Sequence, residues 1–275
     1  MKIKLKPEVF WHLLFIVVVL LFVYPLIFAL TTSFKQLTEA FNSGLRLWPK
    51  EFTTAAYRNV LTKIPFLRIT ANTFLIATVV TVFKLVTGLF AAYSFVFFQF
   101  RGKKLMYFLL ISTIFIPFTV TMVPNFMTIS KIGLRDQLLG VALPQLADAT
   151  GIFLLRQHMR GVPQSLLEVA RLEKASHLKI LSGIVVPLIK PAILSIGIIF
   201  FINSWNEYVW PALILKSELN YTLSLALQLF VSAEGGTDIP VAMAISVMTM
   251  LLPLGMYAVF QRQIIATFSQ SGIKG

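Results

Sequence analysis

Apolar residues run along this chain in long uninterrupted blocks, without the alternation of a half-buried strand or the three-and-four spacing of a surface helix. Six blocks, near residues 9–33, 67–97, 105–129, 137–157, 188–215 and 239–261, are long enough to cross a hydrocarbon core that takes roughly 20 helical residues. They predict an all-α polytopic membrane bundle of six transmembrane helices, forming one transmembrane domain over residues 1–275. The fourth block is interrupted by Pro144, Asp148 and Gly151. Such residues persist at membrane depth where they face protein or a water-filled cavity, which places this span inside the bundle. Pro117, Pro124 and Pro253 predict kinks in others.

Composition agrees with the blocks. Of 275 residues, 57% are hydrophobic and 13% charged, with 25 Phe and a mean hydropathy of +0.82, more apolar surface than a water-soluble fold could expose. The net charge of +13 is spread over short segments between apolar blocks, whereas a nucleic-acid binder gathers its cations on one soluble face, so nucleic acid is not an expected partner. The first block follows Lys2, Lys4 and Lys6 and lacks a small-x-small cleavage site after Phe28-Ala29-Leu30, so it is expected to stay as a signal anchor. An inner amino terminus puts fourteen Lys and Arg residues inside and nine outside, most of the latter between Lys35 and Phe66. That bias predicts a multi-pass protein of the cytoplasmic membrane with both termini in the cytoplasm. There is no cysteine, which excludes disulfides, thiol catalysis and cysteine-ligated metals.

One polar stretch, 159–187, separates the fourth and fifth blocks. Gly161-Val162-Pro163 breaks the preceding helix, and Pro163 suits the first turn of a new one. In that helix Leu166, Ala170 and Glu173 share a face, Leu167 borders it, and Glu168 is exposed. Ala170 and Ala175 would let another backbone come close. Spacing alone allows either a docking piece for a partner subunit or an amphipathic helix resting on lipid headgroups.

The same stretch resembles the EAA loop of ABC importer permeases, whose pattern is Glu-Ala-Ala, three residues, Gly, nine residues, then Ile-x-Leu-Pro. Here Glu168-Val169-Ala170 is followed by Lys174 at the glycine position and by Ile184, Val186 and Pro187. Asn203-Ser204-Trp205-Asn206-Glu207-Tyr208-Val209-Trp210-Pro211 resembles the fifth-span motif of the carbohydrate uptake type. The tail Phe260-Gln261-Arg262-Gln263-Ile264, with Ser271-Gly272-Ile273-Lys274, is similar to the MalG-like branch. The resemblance implies a permease driven by an ABC ATPase dimer, completed by a second homologous permease and supplied by an extracytoplasmic solute-binding protein. Leu166, Glu168, Ala170, Lys174, Ala175 and Pro187 would couple to the ATPase, with Leu166, Ala170 and Ala175 filling its groove. Two residues depart from the pattern. Val169 adds bulk where close packing is expected, and Lys174 forfeits glycine's easy access to positive φ. Either the partner's groove is adapted to them or the loop turns elsewhere.

The only Gly-Lys pair, Gly102-Lys103, has Phe97 and not Gly five residues before Gly102, so no phosphate-cradling loop is present. No cofactor is expected on this chain; ATP and Mg belong to the partner ATPase. Asn203, Trp205, Asn206, Glu207 and Tyr208 are candidates for the translocation pathway, where polar groups face a cavity and rings stack on sugars. Alternatively, Trp210 and Pro211 mark an interfacial aromatic belt and Glu207 snorkels to water. Lys84, mid-block, is the sixth pathway candidate: it pairs with an acid, attracts an anionic substrate, or marks a misplaced helix. His12, His158 and His177 lack metal spacing and read as structural or solvated. The loop from Lys35 to Phe66, and that from Lys216 to Asp238 with Glu234-Gly235-Gly236, either dock the binding protein or are loosely ordered. The expected cargo is a sugar or sugar-like solute. Glycerol 3-phosphate in the same importer class, or an ion-coupled secondary transporter, are the alternatives.

Overall fold

A computed structural model of the chain describes residues 7–231 and 238–272. The Glu234-Gly235-Gly236 loop and the last two residues of the tail motif lie outside the described residues, and every regular element among the described ones is helical.

Two compact units emerge, 1–66 with 226–252 and 67–225 with 253–275. The first opens with α1 (Pro7–Thr32), apolar and exposed on nearly every side, as expected of a helix whose solvent is lipid. The loop after it is built, not loose. It carries α2 (Leu37–Asn42) and α3 (Ala55–Lys63). Phe34 stacks on Phe52 with ring centroids 4.4 Å apart, and the hydroxyls of Ser33 and Tyr57 lie 2.8 Å apart. Lys35, 1% exposed, donates to the carbonyl of Arg46 and, at 3.1 Å, to Ser43 Oγ; burial pushes its pKa down.

The second unit begins with α4 (Phe66–Phe97), followed by α5 (Lys103–Ser112) and α6 (Phe118–Lys131). Next come α7 (Leu138–Ala142), α8 (Ala149–Met159) and α9 (Gln164–Leu172). Then α10 (His177–Ile180), a π-helical turn at Leu181–Val185 and α11 (Val186–Leu188) lead into α12 (Lys190–Trp205). α13 (Val209–Ile214) and α14 (Leu223–Val231) precede α15 (Ile239–Gly272), which passes the division between the units at Pro253.

Among the described residues three helices, at Glu8–Thr32, Phe66–Phe97 and Ile239–Arg262, are long and apolar enough to cross a membrane, and three bent pairs raise the number to six where each pair is one span. The bend in the third block was expected at Pro117; the bend in the fifth was not. The third block turns by 98° between Phe115 and Phe118, where Pro117 keeps the preceding Ile116 out of helical backbone (ψ 112°) and itself caps α6 with extended backbone (ψ 141°). The fourth bends by 47° between Gln145 and Ala149, at the interruption legible in the sequence. The fifth differs most from 188–215. It starts at His177, bends by 82° between Leu188 and Lys190, and ends at Trp205, leaving α13 a separate short helix. The π-helical turn precedes Pro187, whose ring would clash with the carbonyl four residues back and which has no N–H to give it.

Two apolar clusters hold this unit together. One joins Ala92 and Tyr93 to Leu155, Met159, Leu167, Ala170, Val185 and Phe200; the other joins Ile76 and Val80 to Ile129, Val141, Trp210 and Ile214.

Candidate functional site: the α9 helix and the polar residues of the bundle

A nine-residue helix is too short to persist alone in water, so α9 depends on the face it buries. That face is Leu167 (2% exposed) and Ala170 (7%), packed into the cluster with Leu155, Met159 and Val185. On the other side Leu166, Val169 and Leu172 are 43%, 56% and 83% exposed, spaced three apart, among exposed Glu168, Arg171 and Glu173. Ala170 therefore does not stand on the outward face with Leu166 and Glu173, as its spacing suggested. It sits beside Leu167 and is unavailable to fill another protein's groove. Ala175, half-buried, packs against the same cluster. The bulk of Val169 points outward and meets no overpacking within the chain. Leu172, the most exposed apolar residue of α9, was not among the expected contacts, although its spacing from Leu166 and Val169 was legible.

The helix ends where the family pattern has glycine. Lys174 has φ +54°, in the left-handed region, so the loop turns here and not elsewhere. The amide of Lys174 donates to the carbonyl of Arg171 at 3.0 Å and that of Ala175 to Ala170 at 3.0 Å, the paired bonds of a Schellman C-cap. Ser176 then caps α10 through the amide of Lys179. His177 is structural, its Nδ1 lying 3.0 Å from the Tyr93 hydroxyl and its ring meeting Phe98 edge-on at 4.6 Å. Pro187 is exposed beyond the π-helical turn.

Lys84 is on the helix as drawn and is paired. Its Nζ lies 3.6 Å from Asp148 Oδ2 and 5.1 Å from the centroid of Phe200. The other oxygen of Asp148 caps α8, accepting from the amide of Gly151 at 2.7 Å. Gly151 has to be small, because a Cβ there would stand 2.5 Å from Phe200 Cζ. One acid thus starts a helix and neutralises a cation in the bundle, which removes Lys84 as a free receptor for an anion.

The fifth-span motif divides. Trp205 is 2% exposed and stacks on Phe201 at 5.8 Å, and its carbonyl accepts from Ser224 Oγ; it corrects the expectation of a ring free to receive a sugar. Trp210, 1% exposed, donates from Nε1 to the carbonyl of Val141 at 3.2 Å and meets Phe118 edge-on, so it is core and not an interfacial belt. Glu207 is half-buried and accepts from the amide of Trp210 at 3.3 Å. Asn203, Asn206 and Tyr208 are exposed and remain the part of the motif able to meet a solute.

Sequence reasoning passed over Asp136. Its φ is +57°. Oδ1 accepts from the amides of Lys216 and Ser217 at 2.8 and 2.9 Å, Oδ2 accepts from the Ser217 hydroxyl, and its carbonyl accepts from Asn220 at 2.6 Å. The Ser217 hydroxyl first, then the two amides, hold the carboxyl at about 2 against an ordinary 3.8. Its place beside Gly133 in a short polar break was the only signal.

The family described as binding-protein-dependent transport system inner membrane component matches residues 84–265. The sn-glycerol-3-phosphate transport system permease protein UgpE of Pectobacterium atrosepticum is 29% identical over 262 residues, 93% of each chain. The arabinooligosaccharides transport system permease protein AraQ of Halalkalibacterium halodurans is 28% identical over 280 aligned residues, 100% of each. A chain of a bacterial ABC transporter that imports the acidic polysaccharide alginate shares the fold, with a TM-score of 0.83 at 24% identity over 95% of this chain and 99% of that one.

Proposed function

The chain belongs to the family of binding-protein-dependent transport system inner membrane components, and from that premise we propose that its cargo is a sugar or sugar-like solute and that α9 is the part its motor grips. It is the membrane-spanning permease subunit of an ABC importer, a transport subunit that leaves ATP hydrolysis to separate ATPase subunits. Its partners are that ATPase, a paired permease and a solute-binding protein.

The observation that carries the α9 reading is the outward apolar row Leu166, Val169 and Leu172 flanked by Glu168 and Glu173, on a short helix fixed by its buried face and closed at Lys174. ATPases closing on ATP and Mg would press on this row and on Glu168, and the Leu167 and Ala170 contacts would pass the movement to α4, α8 and α12. The excess of positive charge between blocks supports an inner position for α9 and for both termini. The built loop from Lys35 to Phe66 would then face outward, where a binding protein docks.

Relatives for both glycerol 3-phosphate and arabinooligosaccharides keep two cargoes in view. Neutralisation of Lys84 by Asp148 favours the uncharged one. The deciding experiment is substrate-stimulated ATPase activity and uptake by the reconstituted complex across a panel of sugars and glycerol phosphates. Stimulation by a sugar supports the proposal. Stimulation by glycerol 3-phosphate alone overturns the cargo, and ion-driven uptake by this chain without an ATPase overturns the mechanism.

A further inference from the structure

Where α4 ends, α5 begins and α8 meets α9, four cations converge without an acid. A cavity of about 430 Å³ is lined by Lys103 of α5, Arg156 and Arg160 around the end of α8, and Arg171 of α9. Among the described residues no Asp or Glu lines it, and the ion pair found among them, Lys84 with Asp148, lies elsewhere. A second cavity of about 710 Å³ shares Phe95, Gln99, Lys103 and Arg156 with the first and adds Phe100, Lys104, Leu105 and Tyr107.

Two polar atoms there have no partner among the described residues. Arg156 Nε and the Tyr107 hydroxyl are both buried and unbonded, although the Arg156 guanidinium lies 4.0 Å from the centre of the Tyr107 ring. A buried donor left without a partner is costly, so both atoms call for an acceptor. Five cations, counting Lys104 of the second cavity, define its charge, although Lys103 Nζ already donates to the carbonyls of Val96 and Phe98. The apolar walls of the second cavity and the exposed Leu105, Met106, Phe108 and Leu109 of α5 define what it is attached to.

We propose that these joined cavities bind the phosphate headgroup of an anionic phospholipid, with its acyl chains lying along the exposed apolar residues of α5. Phosphate is recognised by arginine through paired charge-assisted hydrogen bonds, and basic pockets between spanning helices are suited to lipid headgroups. A free phosphate would satisfy the cations but leave the apolar wall uncovered. Because Arg171 belongs to α9 and the others to α5 and the end of α8, the bound lipid ties α9 to the bundle.

The test uses the whole transporter, purified with its partner subunits in detergent and titrated with phosphatidylglycerol, phosphatidylcholine and inorganic phosphate, the bound lipid being counted by native mass spectrometry. Phosphatidylglycerol is expected to be retained over phosphatidylcholine and to resist displacement by excess inorganic phosphate. The Arg156→Gln/Arg160→Gln variant is expected to bind it roughly 30-fold more weakly, about fivefold for each cation lost. Arg156→Lys/Arg160→Lys, which keeps the charge, should retain it and so separates loss of binding from loss of folding. Equal retention of the two lipids, unchanged binding in the Gln variant, or full displacement by inorganic phosphate would overturn the proposal. Loss of the ATPase subunit from the Gln variant with lipid retention unaltered would assign the pocket to a partner's carboxylates and overturn it as well.

Discussion

The amide of Ala175 reaches back 3.0 Å to the carbonyl of Ala170, across a Lys174 held in left-handed backbone. This closure sets where α9 stops and keeps the exposed row of Leu166, Val169 and Leu172 on a helix of fixed length.

Lysine in that conformation carries a strain of about 1 kcal/mol that glycine does not. Lys174→Gly is therefore expected to raise the protection of the Ala175 amide in hydrogen exchange about fivefold, and Lys174→Val to lower it, since a β-branched residue fits positive φ less well. Equal protection in all three proteins would show that the turn is not strained at Lys174.

Lys84 and Asp148 should behave as a coupled pair. Lys84→Met leaves Asp148 unpaired in the bundle and is expected to lower stability by roughly 2–4 kcal/mol. Adding Asp148→Asn removes the stranded charge and keeps a residue able to cap α8, so the double variant should return to within about 1 kcal/mol of wild type. Thermal unfolding of the four proteins in detergent measures the coupling. Additive losses would mean that the two charges do not interact.

Gly151→Ala places a methyl group against the Phe200 ring, at a cost of about 1–3 kcal/mol by overpacking. Phe200→Leu in the same chain should recover part of it. Unfolding of the single and double variants checks this, and an unaffected single variant would show that the ring yields freely.

Asp136 gives the turn ahead of α7 an acid limit. Its carboxyl has a native pKa of about 2 and an ordinary value of 3.8, so its stabilisation is fully present above 3.8 and is lost as pH falls towards 2. Protection of the Lys216 and Ser217 amides, corrected for intrinsic exchange, should fall over that window. Asp136→Asn, which tolerates the left-handed backbone, should flatten the dependence.

The sequence made the class and the boundaries of the long spans legible because hydrocarbon imposes one length and one composition on each crossing. It left open how α9 is oriented. The spacing of Leu166, Ala170 and Glu173 is real, but side-chain pattern does not say which flank of a short helix the chain itself will cover, and Leu167 took Ala170 inward with it. The glycine-position lysine looked like a reason for the loop to turn elsewhere, yet cap geometry outweighed the local preference of one residue. Trp205 resembles a sugar platform in composition alone; Phe201, one turn before it on α12, covers its ring, while Trp210 is buried against Phe118 and Val141, both distant in sequence. The ends of the fifth span were masked by apolar residues that continue past Trp205 into α13.

The central claim is that the outward face of α9 is held by the ATPase. The chain has no cysteine, so Leu172→Cys places a single thiol on the most exposed apolar position of that face. In the assembled complex, a short bifunctional reagent at this thiol is expected to join the chain to the ATPase subunit, with a yield that changes when ATP is added. Cross-links to lipid alone, or labelling of the thiol by an impermeant reagent applied only from outside the cell, would contradict the account.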